Sequence, residues 1–200
     1  MTSCGQYKSL LKSNDYNLVY KKAIEYYNKG DYQRAMNLLD GVRSVFVGQA
    51  KAQNIAYYRA FCSYNMKDYQ IASDLFKQFI QTYPESSFAE ECLYMMGFCD
   101  YKASPKPRLD QQVTEKAIRE FQLYLSRYPY SMRKDKVNTY MDEMRDKLSY
   151  KAYLSAKNYY LREHYKAAVI SLQNCLKDYP GSKYREEIMY MLFVSKYQMA

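Results

Sequence analysis

From residue 17 onward, apolar residues return every three or four positions, and Lys, Glu, Gln and Asn fill the positions between them. That is the period of a helix with one buried face. The pattern predicts helices at about 17–29 and 32–46, 50–66 and 69–83, 87–102 and 113–128, 132–162 and 165–179, and finally 183–199. Short helices in pairs, each too small to bury its own apolar stripe, must stack on their neighbours.

The pairs repeat. Gly30-Asp31-Tyr32-Gln33-Arg34-Ala35, Lys67-Asp68-Tyr69-Gln70-Ile71-Ala72 and Glu163-His164-Tyr165-Lys166-Ala167-Ala168 align with an alanine three residues after a tyrosine, and Thr114-Glu115-Lys116-Ala117 is a degenerate fourth copy. Four residues after each alanine stands a large apolar residue, Leu39, Phe76, Phe121 or Leu172. The alanine lets a neighbouring helix approach, and the larger residue fills the same face one turn on. Three copies close on Tyr-Pro (Tyr83-Pro84, Tyr128-Pro129, Tyr179-Pro180) followed by Ser86, Ser131 or Ser182. Proline ends the helix, and the serine oxygen can cap the next one.

The first helix of each pair has its own columns. Tyrosine stands at 20, 57, 94, 153 and 190 and again at 27, 64, 101, 160 and 197, with Ala23, Ala60, Gly97 and Ala156 between. The step is 37 residues, except that 94 to 153 contains 22 more. Eight of these lie in a loop around Ser104-Pro105-Lys106-Pro107-Arg108-Leu109-Asp110, and fourteen lengthen the helix through Val137 to Leu148 by about four turns. A helix pair with small residues at its crossing is the tetratricopeptide pattern. The expected fold is therefore all-α, a right-handed tetratricopeptide superhelix of four helix pairs and a half repeat. Residues 1–16 read as an anchor or linker, and the repeats span about 17–48, 49–86, 87–131, 132–182 and a partial 183–200. Because 183–199 shows Ile188, Met191, Leu192 and Val194 rather than a polar capping face, the chain is expected to continue beyond it.

Composition agrees and removes whole classes of function. Six glycines and five prolines in 200 residues are too few for an all-β sandwich or barrel. No stretch approaches the roughly 18 consecutive apolar residues of a membrane span. The net charge of +9 is spread along the chain, so no nucleic-acid stripe forms, and Arg133-Lys134 with Lys136 reads as a solvated face or a site for an acidic partner or lipid head groups. The single histidine, His164, occupies the turn position held by Asp31 and Asp68, and no cysteine pair has zinc-ligand spacing, so neither a metal nor another cofactor is expected. Cys62 and Cys99 stand one repeat apart, and Cys92 and Cys175 also fall on repeat positions, which packing explains. Without an activated nucleophile the sequence points away from an enzyme.

What remains is the tyrosine columns and one cysteine. Tyrosines seven apart share a helix face, so Tyr20, Tyr27, Tyr57, Tyr64, Tyr94 and Tyr101 would align in two rows along the inner surface, with Lys22 and Arg59 beside them. Two readings stay open: packing between repeats, or partly exposed plates for a peptide. Cys4, after Thr2 and Ser3 and before a polar stretch, is similar to the end of a bacterial lipoprotein signal, although no apolar segment precedes it.

Together, Cys4, the Tyr-Pro-x-Ser junctions, the insertion Ser104 to Gln111 before Lys116-Ala117-Ile118 and the long helix before Tyr159-Tyr160 resemble the BamD (YfiO) family over about 15–200. These are outer-membrane lipoproteins of the β-barrel assembly machinery. The resemblance implies a lipid anchor on Cys4 and a place on the periplasmic face of the outer membrane. It also implies docking to the periplasmic domains of the barrel-forming BamA subunit and reception of unfolded outer-membrane proteins. A Tol-Pal-type envelope scaffold or a general protein–protein adaptor is the alternative, but neither is expected to carry the insertion or the cysteine.

Overall fold

Two aspartates start the first helix pair: the carboxylates of Asp15 and Asp31 accept hydrogen bonds from the backbone N–H groups of Leu18 at 2.9 Å and Arg34 at 3.3 Å, capping donors that the helix leaves unpaired. The computed structural model describes residues 3–200, with side chains from Tyr7 onward. In chain order the helices are α1 (Ser3–Leu10), α2 (Tyr16–Asn28), α3 (Tyr32–Val42), α4 (Lys51–Asn65), α5 (Tyr69–Thr82), α6 (Ala89–Ala103), α7 (Gln112–Arg127), α8 (Lys134–Leu161), α9 (Tyr165–Asp178) and α10 (Arg185–Tyr197). Among the described residues there is no strand, and successive helices pack as adjacent pairs, as expected of a tetratricopeptide-like chain.

Three of the turns inside the pairs share one geometry. Gly30, Lys67 and Glu163 take positive φ of 79°, 68° and 59°. One residue on, the N–H groups of Asp31, Asp68 and His164 each donate at 3.0 Å to carbonyls five positions back, Tyr26, Ser63 and Tyr159. This is a Schellman closure, and glycine is the residue it suits. Between pairs, Ser86, Ser131 and Ser182 accept through Oγ from the N–H two residues later at 3.2 to 3.3 Å, so the serine forms the turn that leads into the next helix.

The chain divides into two bodies. The first comprises residues up to Ala103 with Arg119–Pro129, and the second Ser104–Ile118 with Tyr130–Ala200. In the first, α2, α3, α4, α5 and α6 pack in sequence, and α2 also meets α4. Ala23, Ala35, Ala60 and Ala72 are wholly buried, as are the apolar residues Leu39, Phe76 and Phe121. Gly97 has no room for more: a Cβ there would lie 2.9 Å from the Phe121 ring. In the second body α8 packs on α9 and α10, with Ala156, Ala168 and Leu172 wholly buried.

Two segments depart from expectation. Residues 1–16 carry helix α1, whose Tyr7 ring meets Tyr26 edge-on at 5.9 Å and whose hydroxyl accepts from Asn37 at 3.0 Å. The second helix of the first pair stops at Val42 instead of running to 46; turns follow, with Gly48 at φ 76° and Phe46 still folded into the core.

Candidate functional site

Tyr57 on α4 organises an aromatic surface of the first body. Its ring lies 4.6 Å from Phe88, 4.5 Å from Phe61 and 5.5 Å from Tyr58 between centroids. Its hydroxyl donates to Glu91 Oε2 at 2.8 Å, on the next repeat. Burial and this donation to a carboxylate both push the phenol's pKa up. Around it opens a groove of about 490 Å³ lined by Tyr20, Ile24, Asn54, Tyr57, Tyr58 and Phe88, with Lys21, Glu25 and Asn28 at its edge. One lysine and one glutamate leave the lining electrically balanced, with aromatic plates as its main surface.

The same rung recurs. Tyr57 donates to Glu91 and Tyr153 to Glu187 (2.7 Å), each partner standing 34 residues on. At Tyr57 and Tyr153 the first tyrosine column therefore ties one repeat to the next through its hydroxyls, and the rings of Tyr20 and Tyr57 line the groove. Of the other expected site residues, Tyr27 packs on Tyr58 at 4.9 Å, and burial pushes its pKa up to about 12. Tyr94 is buried and lies stacked on Phe98, which in turn stacks on Tyr101 and lies 6.2 Å from Tyr64. Tyr64 and Tyr101 are half-buried.

Arg59 does not reach this groove. Its guanidinium pairs with Asp40 at 2.6 Å and lines a separate depression of about 440 Å³ with Arg43, Leu75 and Phe79. The reason is angular: Arg59 stands two positions beyond Tyr57 on a helix, and residues so spaced do not share a face. Lys22 pairs with Glu25 at 2.7 Å on the surface of α2. The side chain of Cys4 lies outside the described residues. Phe61, Tyr58 and Phe88 were absent from the sequence reading. Phe61 and Phe88 sit four after and six before a column tyrosine, and only the geometry shows that these positions meet.

Other candidates take structural places. His164 precedes α9 in the turn, as its position predicts. Cys62, Cys92, Cys99 and Cys175 are buried free thiols, and desolvation pushes Cys62 and Cys92 up to about 12, far from a reactive thiolate. Among the described residues no group of His, Cys, Asp and Glu could hold a metal ion, and no helix is long and apolar enough to cross a membrane.

In the second body the two insertions meet. Lys147, on the added turns of α8, donates to Ser104 Oγ at 2.6 Å, and Lys151 donates to the Leu109 carbonyl at 2.9 Å. Buried Gln111 secures the loop from within, its amide donating to the Lys106 carbonyl at 2.8 Å while its oxygen accepts from Thr114 at 2.7 Å. Lys147 is partly desolvated there, which lowers its pKa.

Helices packed in adjacent pairs, with small residues at the crossings, define a helical-repeat protein of tetratricopeptide type. Within that class the chain belongs to the YfiO family, outer membrane lipoproteins, which matches residues 12–200. No curated protein matches the chain.

Proposed function

We propose that this protein is a non-enzymatic scaffold of the outer-membrane β-barrel assembly machinery, of the BamD kind. In this reading Cys4 carries the lipid and holds the chain on the periplasmic face of the outer membrane. The repeats dock to the periplasmic domains of a BamA-like barrel subunit and receive unfolded outer-membrane proteins. Family membership supports the envelope setting. The observation that carries the receiving role is the groove around Tyr57, because half-buried Tyr20, Tyr58 and Phe88 offer rigid aromatic surface to an extended segment with little entropy to lose.

Of the two readings left open for the tyrosines, each fits a different part of the columns. Tyr94, packed against Phe121 and Tyr124, belongs to the core. The groove reading therefore rests on Tyr20, Tyr57, Tyr58 and Phe88. The test is a pair of measurements on Tyr58→Ala with Phe88→Ala: affinity for an aromatic-rich peptide from an unfolded barrel protein, and the urea midpoint. Affinity is expected to fall about tenfold or more, as for anchors of a small interface, while the midpoint moves far less than for a core deletion. Unchanged affinity per folded molecule would remove the groove from the function.

A further inference from the structure

We propose that the second body carries a separate site for an acidic, extended peptide segment, in the cleft between the insertion loop and α8. The cleft holds about 750 Å³, and Arg108, Tyr150, Lys151, Tyr153, Lys157 and Tyr184 carry its chemistry. It is separate from the client groove, being built from other helices.

Its floor is a stack of flat rings. Tyr153 and Tyr184 lie 4.3 Å apart between centroids at 13°, and Tyr150 stacks on Tyr184 at 5.3 Å and 29°. An aromatic or amide side chain can lie over such plates, and tyrosine supplies them at low entropic loss.

Its rim is cationic, and no acidic residue lines the cleft. Two of the cations are already placed. Lys151 is fixed by the Leu109 carbonyl at 2.9 Å, and Lys157 is held between Tyr153 Oη at 2.8 Å and Glu187 at 2.7 Å. Arg108 has no hydrogen-bond or ion-pair partner among the described residues and is exposed on the loop. A planar guanidinium with its donors unused matches a carboxylate in a two-pronged contact. Lys151 adds a second, pre-positioned charge, so the rim attracts anions and favours a segment with more than one carboxylate.

The length of the site follows from the helix. Lining residues run from Tyr150 to Leu161 on α8, which at about 1.5 Å per residue is roughly 16 Å, or about five residues of extended chain. A segment of that length with carboxylates flanking an aromatic residue would set its ring on the tyrosine stack and its acids on Arg108 and Lys151.

The experiment uses the whole chain and a fluorescein-labelled peptide of sequence Asp-Glu-Tyr-Glu-Asp, with Asn-Gln-Tyr-Gln-Asn as its neutral counterpart, read by fluorescence anisotropy. The acidic peptide is expected to bind more tightly than the neutral one, to weaken as salt is raised, and to lose about five- to tenfold in affinity with Arg108→Ala or Lys151→Gln. Phe88→Ala, in the other groove, should leave it unchanged. Arg108 is an exposed loop residue, so an unchanged urea midpoint separates lost binding from lost fold. Equal affinity for both peptides, no binding of either, or indifference to both charge variants overturns the proposal. So does sedimentation with vesicles of equal parts phosphatidylcholine and phosphatidylglycerol that depends on Arg108 when the acidic peptide does not bind, because the ligand class would then be lipid.

Discussion

Tyr57 and Tyr153 occupy the same repeat position, and each hydroxyl reaches a glutamate 34 residues on, yet their surroundings diverge. Four residues after Tyr57 stands Phe61; four after Tyr153 stands Lys157. Six residues before the next column tyrosine the two repeats have Phe88 and Tyr184. The first rung is therefore walled by apolar rings, and the second by a tyrosine stack and an ion pair between Lys157 and Glu187 at 2.7 Å. The insertion loop then adds Arg108 to the second. One scaffold position, kept for its inter-repeat hydrogen bond, supports a neutral aromatic groove in one body and a cationic cleft in the other. The lesson is that the repeat fixes where a tyrosine sits, while its neighbours one turn away fix what the surface attracts.

The comparison breaks most visibly at the crossings. Phe121→Ala should destabilise the first body by about 3 to 5 kcal/mol, because the ring is wholly buried against Tyr94 and Gly97. Gly97→Ala should lose about 1 to 2 kcal/mol despite alanine's better helix propensity, since its methyl would meet that ring at 2.9 Å. Phe121→Leu in the same chain should recover part of the loss. Urea midpoints decide, and a stabilised Gly97→Ala would show that the ring moves aside freely.

The rungs come next. Tyr57→Phe removes a hydrogen bond to a carboxylate and should lower stability by about 1 kcal/mol. Tyr153→Phe should lower it less, because Glu187 keeps Lys157. Equal losses would mean that the ion pair does not stand in for the hydroxyl.

Smaller again are the turns. Lys67→Gly and Glu163→Gly should each stabilise the chain by about 0.5 to 1 kcal/mol, since both residues hold positive φ that glycine adopts without strain. Gly30→Ala should move the midpoint the other way.

The smallest effect is acid-dependent. Lys157 first, then Tyr153, hold the Glu187 carboxyl below its ordinary 4.5. A depressed carboxyl contributes stability that is complete above its unfolded value and is lost as pH falls through the folded one. Glu187→Gln should therefore flatten the stability profile slightly below about pH 4.5, with little change in its slope near neutrality. A change confined to neutral pH would point to another group.

Much of this fold was legible because its signals are positional. A small residue three positions after Tyr20, Tyr57, Tyr94 and Tyr153 has one physical use, the helix crossing, and Ala23, Ala60, Gly97 and Ala156 all serve it. Tyr-Pro-x-Ser marks a stop and a start by local chemistry alone. Helix α1 was missed because eight residues are about two turns, too short a span to show a helical period. The site was harder. Columns of identical residues drew attention to tyrosine, while the groove also needs Phe61 and Phe88, which recur in position but not in identity. Arg59 was misplaced by sequence adjacency, the contact with Asp40 being set by the angle around α4. The joining of the two insertions through Lys147 and Ser104 spans 43 residues and leaves no local trace.

The central claim is that the balanced aromatic groove of the first body, rather than the cationic cleft of the second, receives unfolded barrel proteins. Photo-crosslinking addresses it most directly, with p-benzoylphenylalanine placed at position 28 on the groove edge and, in a second sample, at position 155 in the cleft, each exposed to an unfolded outer-membrane protein. The account predicts adducts from position 28 that vanish with Tyr58→Ala and Phe88→Ala, and few from position 155. Adducts of equal yield from both positions, or from position 155 alone, would contradict it.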